Sequence, residues 1–243
     1  MNLLSALGFL TIIPIPARAC REDPGQVLYF PLVGLFLGLL VFALDQCLAP
    51  VLIPGFRAVA DVLFLAVISG GLHLDGLADT ADGFYSHRSR EEMLTIMKDP
   101  RVGVMGVLAI VFCVLFKVAG VSALQGAHYG VWLILAPALA RTAQVYGLVF
   151  ADPATEKGRL LKGFYQKGKF DLLGFTVVPL VIPFFMGTGI GLFVCFLFFG
   201  LTFSALGYFK SKIGGITGDT LGALSEVVEM AILLTGGWVC TQL

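Results

Sequence analysis

The sequence predicts an all-α, polytopic membrane protein, and two observations support this fold class. Of the 243 residues, 58% are hydrophobic and only 13% are charged, whereas soluble domains carry about 25% charged residues. Several segments also reach the roughly 17–25 apolar residues that a helix needs to cross a bilayer. Residues 1–243 are therefore predicted to form a single integral membrane domain, a helical bundle surrounded by the lipid bilayer.

Seven transmembrane helices are predicted along the chain, at residues 30–53, 57–74, 102–124, 127–150, 170–187, 189–208 and 219–241. The first starts at Phe30, because Pro31 is tolerated in the first helical turn. The apolar segment 3–13 is too short to span the bilayer and is predicted to form an interfacial helix. Gly218 and Gly222 open the last helix as a pair of small residues, which predicts a close helix contact there.

The basic residues predict the orientation of the bundle. If the seven helices alternate in direction, 13 of the 16 Lys and Arg residues fall on one face of the membrane. These residues are Arg18, Arg21, Arg88, Arg90, Lys98, Arg101, Lys157, Arg159, Lys162, Lys167, Lys169, Lys210 and Lys212. An excess of positive charge marks the cytoplasmic face. The opposite face keeps only very short loops, which is typical of a protein that works from one side.

An acidic motif at residues 70–83 is predicted to bind a metal ion. Asp75, Asp79 and Asp82 stand at i, i+4 and i+7, so on a helix they fall within an arc of roughly 60°. Carboxylate oxygens suit Mg²⁺, whereas stacked like charges destabilise a purely structural helix. The preceding His73 would point about 160° away from Asp75 on an unbroken helix. A packing role and a role as a base are equally open for it.

Residues 96–103 carry features of phosphate binding. Lys98 and Arg101 precede a predicted helix, and two cations beside a helix N-terminus form a favourable site for phosphate oxygens. The alternative is that both only anchor the topology. Asp99, which is followed by Pro100, is predicted to cap that helix.

A second candidate phosphate site is the glycine-rich turn that runs into the last helix. Gly214, Gly215 and Thr217 are predicted to present backbone N–H groups to phosphate. Asp219, in the same turn, is predicted to be a fourth metal ligand or a helix cap. The basic segment 157–165 is predicted to contact lipid head groups or a nucleotide.

Charged residues also occur inside the predicted spans. Glu226 and Glu229 lie in the last helix and Arg141 in the fourth, and each unpaired charge costs roughly 2 kcal/mol or more in a bilayer. We therefore expect the glutamates to face a cavity, with Arg141 as their partner. Pairing of Glu226 with Arg141 is predicted to be either structural or catalytic.

Four segments resemble the cobalamin synthase family, the adenosylcobinamide-GDP ribazoletransferases. The acidic motif GLHLDGLADTADG at residues 71–83 resembles the signature of this family. Three more segments fit in the same order: FLTIIPIP at 9–16, IMKDPRVG at 96–103 and GGITGDTLGA at 214–223. The resemblance covers essentially the whole chain.

The resemblance implies a transferase of the bacterial or archaeal inner membrane that acts in cobalamin biosynthesis and faces the cytoplasm. It would transfer the adenosylcobinamide phosphate moiety from adenosylcobinamide-GDP to α-ribazole or α-ribazole 5′-phosphate, releasing GMP, with Mg²⁺ as cofactor. No nucleic-acid partner is expected, and assembly into a homo-oligomer is left open.

Within this hypothesis the acidic residues hold Mg²⁺ and the diphosphate, and cations neutralise the phosphate oxygens. The metal ligands would be Asp75, Asp79, Asp82 and Asp219, and the phosphate contacts would include Lys98 and Arg101. One of the aspartates, with Asp82 as the candidate, or His73 would take the proton from the attacking hydroxyl.

Parts of the sequence also fit two other functions, a CDP-alcohol phosphotransferase and an ion-coupled transporter. A CDP-alcohol phosphotransferase also uses clustered aspartates and a metal, but its pattern requires Asp where Leu72 stands and Arg where Asp79 stands. An ion-coupled transporter would use acidic residues near the middle of the membrane, such as Glu226 and Glu229. Most acidic residues are instead predicted at one end of the bundle.

Overall fold

The computed structural model of the chain describes residues 2–16, 24–126, 128–155, 164 and 168–242. The described residues form ten α-helices, and the one β-bridge among them joins Pro153 and Ile216. The helices are α1 Asn2–Leu10, α2 Phe30–Leu48, α3 Pro54–Ile68, α4 Leu72–Phe84, α5 Arg90–Ile96, α6 Val104–Ala123, α7 Tyr129–Phe150, α8 Val177–Val181, α9 Thr188–Ile213 and α10 Gly218–Gln242. Short 3₁₀ turns cover Pro24–Tyr29, Phe170–Thr176 and Ile182–Met186. The all-α prediction is confirmed.

Some of the basic residues that predicted the orientation lie outside the described residues. They are Arg18, Arg21, Lys157, Arg159, Lys162 and Lys167. Most of the basic segment 157–165 lies outside them as well.

Five helices in the described ranges are long and apolar enough to cross a membrane. They are α2 with its preceding 3₁₀ turn, α6, α7, α9 and α10, and the pair α3–α4 makes a sixth if it is counted as one bent span. The chain is thus the multi-span bundle that the composition predicts. The prediction of seven continuous spanning helices is wrong at residues 57–74 and 170–187.

A sharp bend interrupts the predicted helix 57–74. α3 ends at Ile68 and α4 begins at Leu72, with their axes bent by 87°. Gly70 and Gly71 between them have φ values of +61° and +70°, a left-handed conformation that costs other residues roughly 1–2 kcal/mol. The acidic motif therefore forms a helix of its own instead of extending α3.

The segment 170–187 is broken into short pieces. Pro179 and Pro183 lack the N–H that an α-helix needs, and the chain passes through a 3₁₀ turn, the five-residue α8 and a second 3₁₀ turn. Residues that follow α7 and α9 meet at one end of the bundle, where the Ile216 N–H donates to Asp152 O at 2.8 Å. The segment 170–187 therefore belongs to the return path between those two helices.

α7 is the central helix, with 89% of its spanning window buried. Two glycines of α2 face it: a Cβ on Gly34 would lie 2.5 Å from Pro137 O, and one on Gly38 would lie 2.6 Å from Ile134 Cα. The missing side chains let the two backbones touch, which favours association in a bilayer, where apolar burial gives little driving force between helices.

The glycine contact predicted at the start of the last helix is confirmed in part. A Cβ on Gly222 would lie 3.2 Å from His73 O of α4, whereas Gly218 has nothing within 4 Å. The second small residue is on the partner helix: a Cβ on Gly76 would lie 2.9 Å from Asp219 Cα. Gly76 and Gly222 thus bring α4 and α10 into backbone contact.

We expect Gly38→Ala to lower the thermal midpoint of the purified protein in detergent, because the added methyl group overlaps the α7 backbone. Overpacking of this kind costs about 1–3 kcal/mol. Gly200→Ala is the matched control, since Gly200 of α9 has open space around it and alanine favours helix. Equal midpoints for the two variants would contradict the close packing of α2 on α7.

Candidate functional site

The three predicted carboxylates of α4 lie on one continuous helix, and α10 brings a fourth beside them. Asp79 interacts electrostatically with Asp75, Asp82 and Asp219. The fourth group is close because the Asp219 backbone lies against Gly76 of α4. Among the described residues, no basic side chain forms an ion pair with any of these four carboxylates. The result is a concentration of negative charge without a cationic partner among the described residues.

The donor chemistry of this cluster fits Mg²⁺. Within the described ranges, no three His, Cys, Asp or Glu groups converge as a ready-made metal site. Mg²⁺ commonly takes only one or two protein carboxylates, together with waters and phosphate oxygens of a ligand. Asp75, Asp79 and Asp219 supply hard oxygen donors, and neighbouring like charges are stabilised by a cation. A phosphate-bearing ligand would complete such a site.

Asp82 has a further role that the sequence does not predict. Its Oδ2 accepts a hydrogen bond from the Gly103 N–H at 2.6 Å, and its Oδ1 accepts one from the Gly106 N–H at 2.8 Å. These N–H groups belong to the start of α6, where a negative charge is stabilised by the helix dipole. A Cβ on either glycine would lie 2.5 Å from an Asp82 oxygen. Asp82 therefore ties α4 to the N-terminus of α6.

The prediction that Asp99 caps this helix is wrong. α6 begins at Val104, and Asp99 instead accepts the Arg101 N–H at 3.0 Å and pairs with its guanidinium at 2.9 and 2.6 Å. These hydrogen bonds from Arg101 lower the pKa of Asp99 to about 2. The helix begins later than predicted because Asp82 supplies the acceptor at Gly103.

The two predicted phosphate-binding cations have different surroundings. Lys98 interacts electrostatically with Asp219 and is exposed. The Arg101 side chain is 87% exposed and is engaged by Asp99. Lys98 is therefore the cation of this loop that lies nearest to the acidic cluster.

The glycine-rich turn is built into the fold. Gly214 ends α9 with φ +80°, and its N–H donates to Lys210 O at 2.9 Å. Gly215 lies against the segment after α7, where a Cβ would be 2.9 Å from Ala154 N. Arg90 also binds this region, donating to Ile213 O and Ala154 O at 2.7 Å each. The sequence places Arg90 only among the basic residues of one membrane face, and its position gives no signal of this contact.

Thr217 caps α10. Its Oγ1 accepts the Thr220 N–H at 3.1 Å, while the Thr220 Oγ1 accepts the Thr217 N–H at 2.8 Å. This reciprocal pair stabilises the first turn of the helix. Asp219 is therefore not the cap, and its carboxylate is left within reach of the acidic residues of α4.

The charged residues inside the spans form one buried ion cluster of Lys117, Arg141, Glu226 and Glu229. Lys117 Nζ donates to Glu226 at 2.5 Å and to Glu229 at 2.8 Å, and Arg141 donates to Glu229. Arg141 thus pairs with Glu229, which confirms half of the expectation, whereas the expected pairing of Arg141 with Glu226 is wrong. The physical reason is that Lys117 of α6 occupies Glu226, so Glu229 is shared between Lys117 and Arg141.

His73 lies between this ion cluster and a cavity beside the acidic site. Its Nδ1 is 3.5 Å from Arg141 Nη2, and the residue is 2% exposed. His73, Asp75, Gln144 and Asp219 line the cavity, whose volume is about 130 Å³. Helical spacing places His73 and Asp75 on different faces of α4. In the structure His73 is buried and Asp75 is exposed. Both nevertheless border the same cavity.

Comparison with known proteins gives a match over nearly the whole chain. The model of the family described as cobalamin-5-phosphate synthase matches residues 2–237. A relative from Roseiflexus sp. is 38% identical over 238 residues, covering 95% of this chain and 87% of the relative. One from Geotalea daltonii is 42% identical over 246 residues, covering 95% and 94%. Both relatives are named adenosylcobinamide-GDP ribazoletransferase. No solved structure matches the chain.

We expect Glu229→Gln to destabilise the protein more than Glu226→Gln. Glu229 faces two cations, so its neutralisation leaves Arg141 without its carboxylate, and breaking a buried pair typically costs about 3–5 kcal/mol. Glu226→Gln leaves Lys117 paired with Glu229. Thermal midpoints in detergent measure both effects, with the exposed Glu91→Gln as control. If Glu226→Gln proves equally damaging, the assignment of Glu229 as the shared partner is wrong.

Proposed function

The chain belongs to the cobalamin-5-phosphate synthase family, and we infer from this membership that it is an adenosylcobinamide-GDP ribazoletransferase of cobalamin biosynthesis. The observation that carries the conclusion is the match of family and relatives over nearly the full length. The proposed reaction transfers the adenosylcobinamide phosphate moiety from adenosylcobinamide-GDP to α-ribazole or α-ribazole 5′-phosphate, and GMP leaves. The membership decides against the CDP-alcohol phosphotransferase and the ion-coupled transporter.

We propose that the acidic cluster holds Mg²⁺ and the diphosphate of the donor. Asp75, Asp79 and Asp219 are the ligands that the geometry favours, because no backbone N–H of a described residue holds their carboxylates, whereas both oxygens of Asp82 accept one. Asp82 belongs to the same group of four carboxylates, and it also positions α6. When bound, Mg²⁺ would neutralise charge on the diphosphate.

The chemistry of the transfer needs a proton acceptor near the diphosphate. A ribose hydroxyl oxygen of the acceptor forms a bond to the phosphorus that bears cobinamide, and the bond from that phosphorus to the bridging oxygen breaks. GMP leaves with the bridging oxygen, and the hydroxyl proton passes to a carboxylate. We propose Asp79 for this step. No hydrogen bond from a described residue engages its carboxylate, whereas both oxygens of Asp82 already accept N–H groups.

Lys98 is the proposed phosphate-binding cation. It lies within electrostatic reach of Asp219, and a lysine ammonium can neutralise a phosphate oxygen without a fixed geometry. Arg101, Gly214 and Thr217 were also predicted to contact phosphate, but their groups have partners within the protein. Gly215 packs closely against the chain after α7. These residues are proposed to shape the site, not to carry its charge.

We propose that the protein lies in the inner membrane of a bacterial or archaeal cell and that its site faces the cytoplasm. Lys210 and Lys212 lie in the last turn of α9, at the end of the bundle where the acidic cluster lies. At the other end, Arg57 pairs with Asp45 at 3.1 Å. This distribution of positive charge supports the orientation.

Purified protein in detergent should release GMP from adenosylcobinamide-GDP when α-ribazole and Mg²⁺ are present. Chromatographic detection of GMP and of the cobalamin product measures the reaction. Removal of the metal with EDTA should abolish it, and added Mg²⁺ should restore it. Turnover that persists in EDTA would sink the metal assignment, while absence of any product would sink the proposed activity.

Asp79→Asn should abolish detectable turnover while the protein stays folded, because the variant loses an oxygen ligand and the proton acceptor without losing a structural hydrogen bond. Asp82→Asn should also lower the thermal midpoint in detergent, since loss of a helix cap costs about 0.5–2 kcal/mol. Both variants replace a carboxylate by an amide, but only Asp82 accepts hydrogen bonds from the start of α6. Near-normal turnover of Asp79→Asn would remove Asp79 from the mechanism.

A further inference from the structure

A groove between α6 and α9, the outer groove, takes no part in the acidic site. Its lining includes Leu77 of α4, Phe112 of α6, Tyr208 of α9 and Val227 of α10, and its volume is about 390 Å³. Of the five continuous spans in the described ranges, α6 and α9 are the least buried, with 28% of the spanning window buried in each. The outer groove therefore separates the two most loosely packed spans of the bundle.

The outer groove runs along the helices instead of across them. On α6 it is lined by Ala109, Phe112, Cys113 and Phe116. On α10 the lining residues between Ala223 and Met230 have the same spacing of three and four residues. Residues at this spacing share one face of a helix, and seven residues rise by about 10 Å. This shape suits an extended hydrocarbon chain that lies parallel to the helix axes.

The walls offer a ligand apolar contact. The residues of α6 and α10 that line the outer groove are of the types Ala, Phe, Cys, Leu, Val and Met. At its rim, Phe112 is 52% exposed and Phe116 is 46% exposed. Because α6, α9 and α10 are long enough to span the membrane, the medium that reaches this rim is the hydrocarbon of the bilayer. A lipid chain is therefore the apolar group available to fill the outer groove.

One end of the outer groove is polar and carries a positive charge. Tyr85, the residue after α4, and Tyr208 of α9 line this end, and tyrosine is typical of the membrane–water interface. The Lys212 Nζ atom lies 5.5 Å from the centroid of the Tyr208 ring. Lys212 forms no ion pair among the described residues. A cation without a carboxylate partner thus stands where lipid head groups lie.

The acidic cluster does not face the outer groove. Leu77, Ala81 and Phe84 of α4 line the groove, and at about 100° per residue they fall roughly opposite the three aspartates of the same helix. An anionic group beside Lys212 would therefore not meet these carboxylates across the groove.

We propose that the outer groove binds an anionic phospholipid. One acyl chain fills the gap between α6 and α9, and the phosphate of the head group lies beside Lys212. The length and apolar walls of the groove select the chain, and the charge of Lys212 selects an anionic head group. The proposal does not depend on the proposed function, because it uses no residue of the proposed reaction centre.

The test compares two lipids with identical acyl chains, dioleoyl phosphatidylglycerol and dioleoyl phosphatidylcholine, which differ in head-group charge. Native mass spectrometry of the purified full chain in detergent, titrated with each lipid, measures how many molecules bind and with what Kd. We expect one bound lipid, with a Kd about fivefold lower for phosphatidylglycerol, the ratio that corresponds to one lysine near a head group. Equal Kd values, or no binding of either lipid, would overturn the proposal.

Lys212→Gln tests the head-group contact. Its Kd for phosphatidylglycerol should rise to the value for phosphatidylcholine, so that the preference disappears. Lys210→Gln is the matched control, because Lys210 lies in the same last turn of α9 but about 200° around the helix. A full preference in Lys212→Gln would overturn the assignment of the phosphate to Lys212.

Two variants fill the outer groove from opposite sides. Ala109→Phe from α6 and Ala205→Phe from α9 should each abolish binding of both lipids at concentrations that saturate the unchanged protein. Ala119→Phe is the matched control, because Ala119 is an exposed residue of α6 that does not line the groove. Thermal midpoints in detergent identify a variant that fails to fold, and the other variant then carries the test. Unchanged lipid binding in a folded groove variant would overturn the proposal.

The same spectra distinguish other occupants of the outer groove. A dimer that the groove variants dissociate and that lipid does not displace would assign the groove to a second copy of the chain. Displacement of bound phosphatidylglycerol by adenosylcobinamide-GDP would assign the groove to the donor substrate. Either result would overturn the lipid assignment.

Discussion

At Gly76 the backbone of α4 comes so close to Asp219 of α10 that a single methyl group would overlap it. Gly222 approaches His73 from the other helix less closely, with a Cβ that would lie 3.2 Å from His73 O. This contact decides the whole arrangement of the site, because it sets the carboxylates of α4 beside that of Asp219. It also places the cavity along the seam between the two helices. The small residues of the acidic motif are therefore as important to the site as its carboxylates.

The second constraint is the burial of charge. Lys117, Arg141, Glu226 and Glu229 lie on three helices, and each is almost fully buried. Charges at this depth are tolerated only when they are paired, so α6, α7 and α10 are bound to one packing arrangement. Arg141 of this ion cluster also contacts His73, which lines the cavity. The same ion pairs therefore stabilise the helix packing and contact a residue that lines the cavity.

The sequence alone predicts the class of fold and the chemistry of the acidic motif. The low content of charged residues and the long apolar segments predict a membrane-spanning helical bundle, because a chain of this composition would expose too much apolar surface to water. Helical periodicity places Asp75, Asp79 and Asp82 on one helix, and the structure has them there. These conclusions need only local properties of the chain: residue type, segment length and spacing.

Tertiary structure decides which groups meet. Sequence separation does not show that Asp82 binds the start of α6, that Lys117 occupies Glu226, or that His73 shares a cavity with Gln144. The bend of 87° at Gly70 and Gly71 is also decided at this level, since it reorients α4 toward α6 and α10. Residue types thus determine the available chemistry, and the packing of backbones in direct contact determines which partner each group finds.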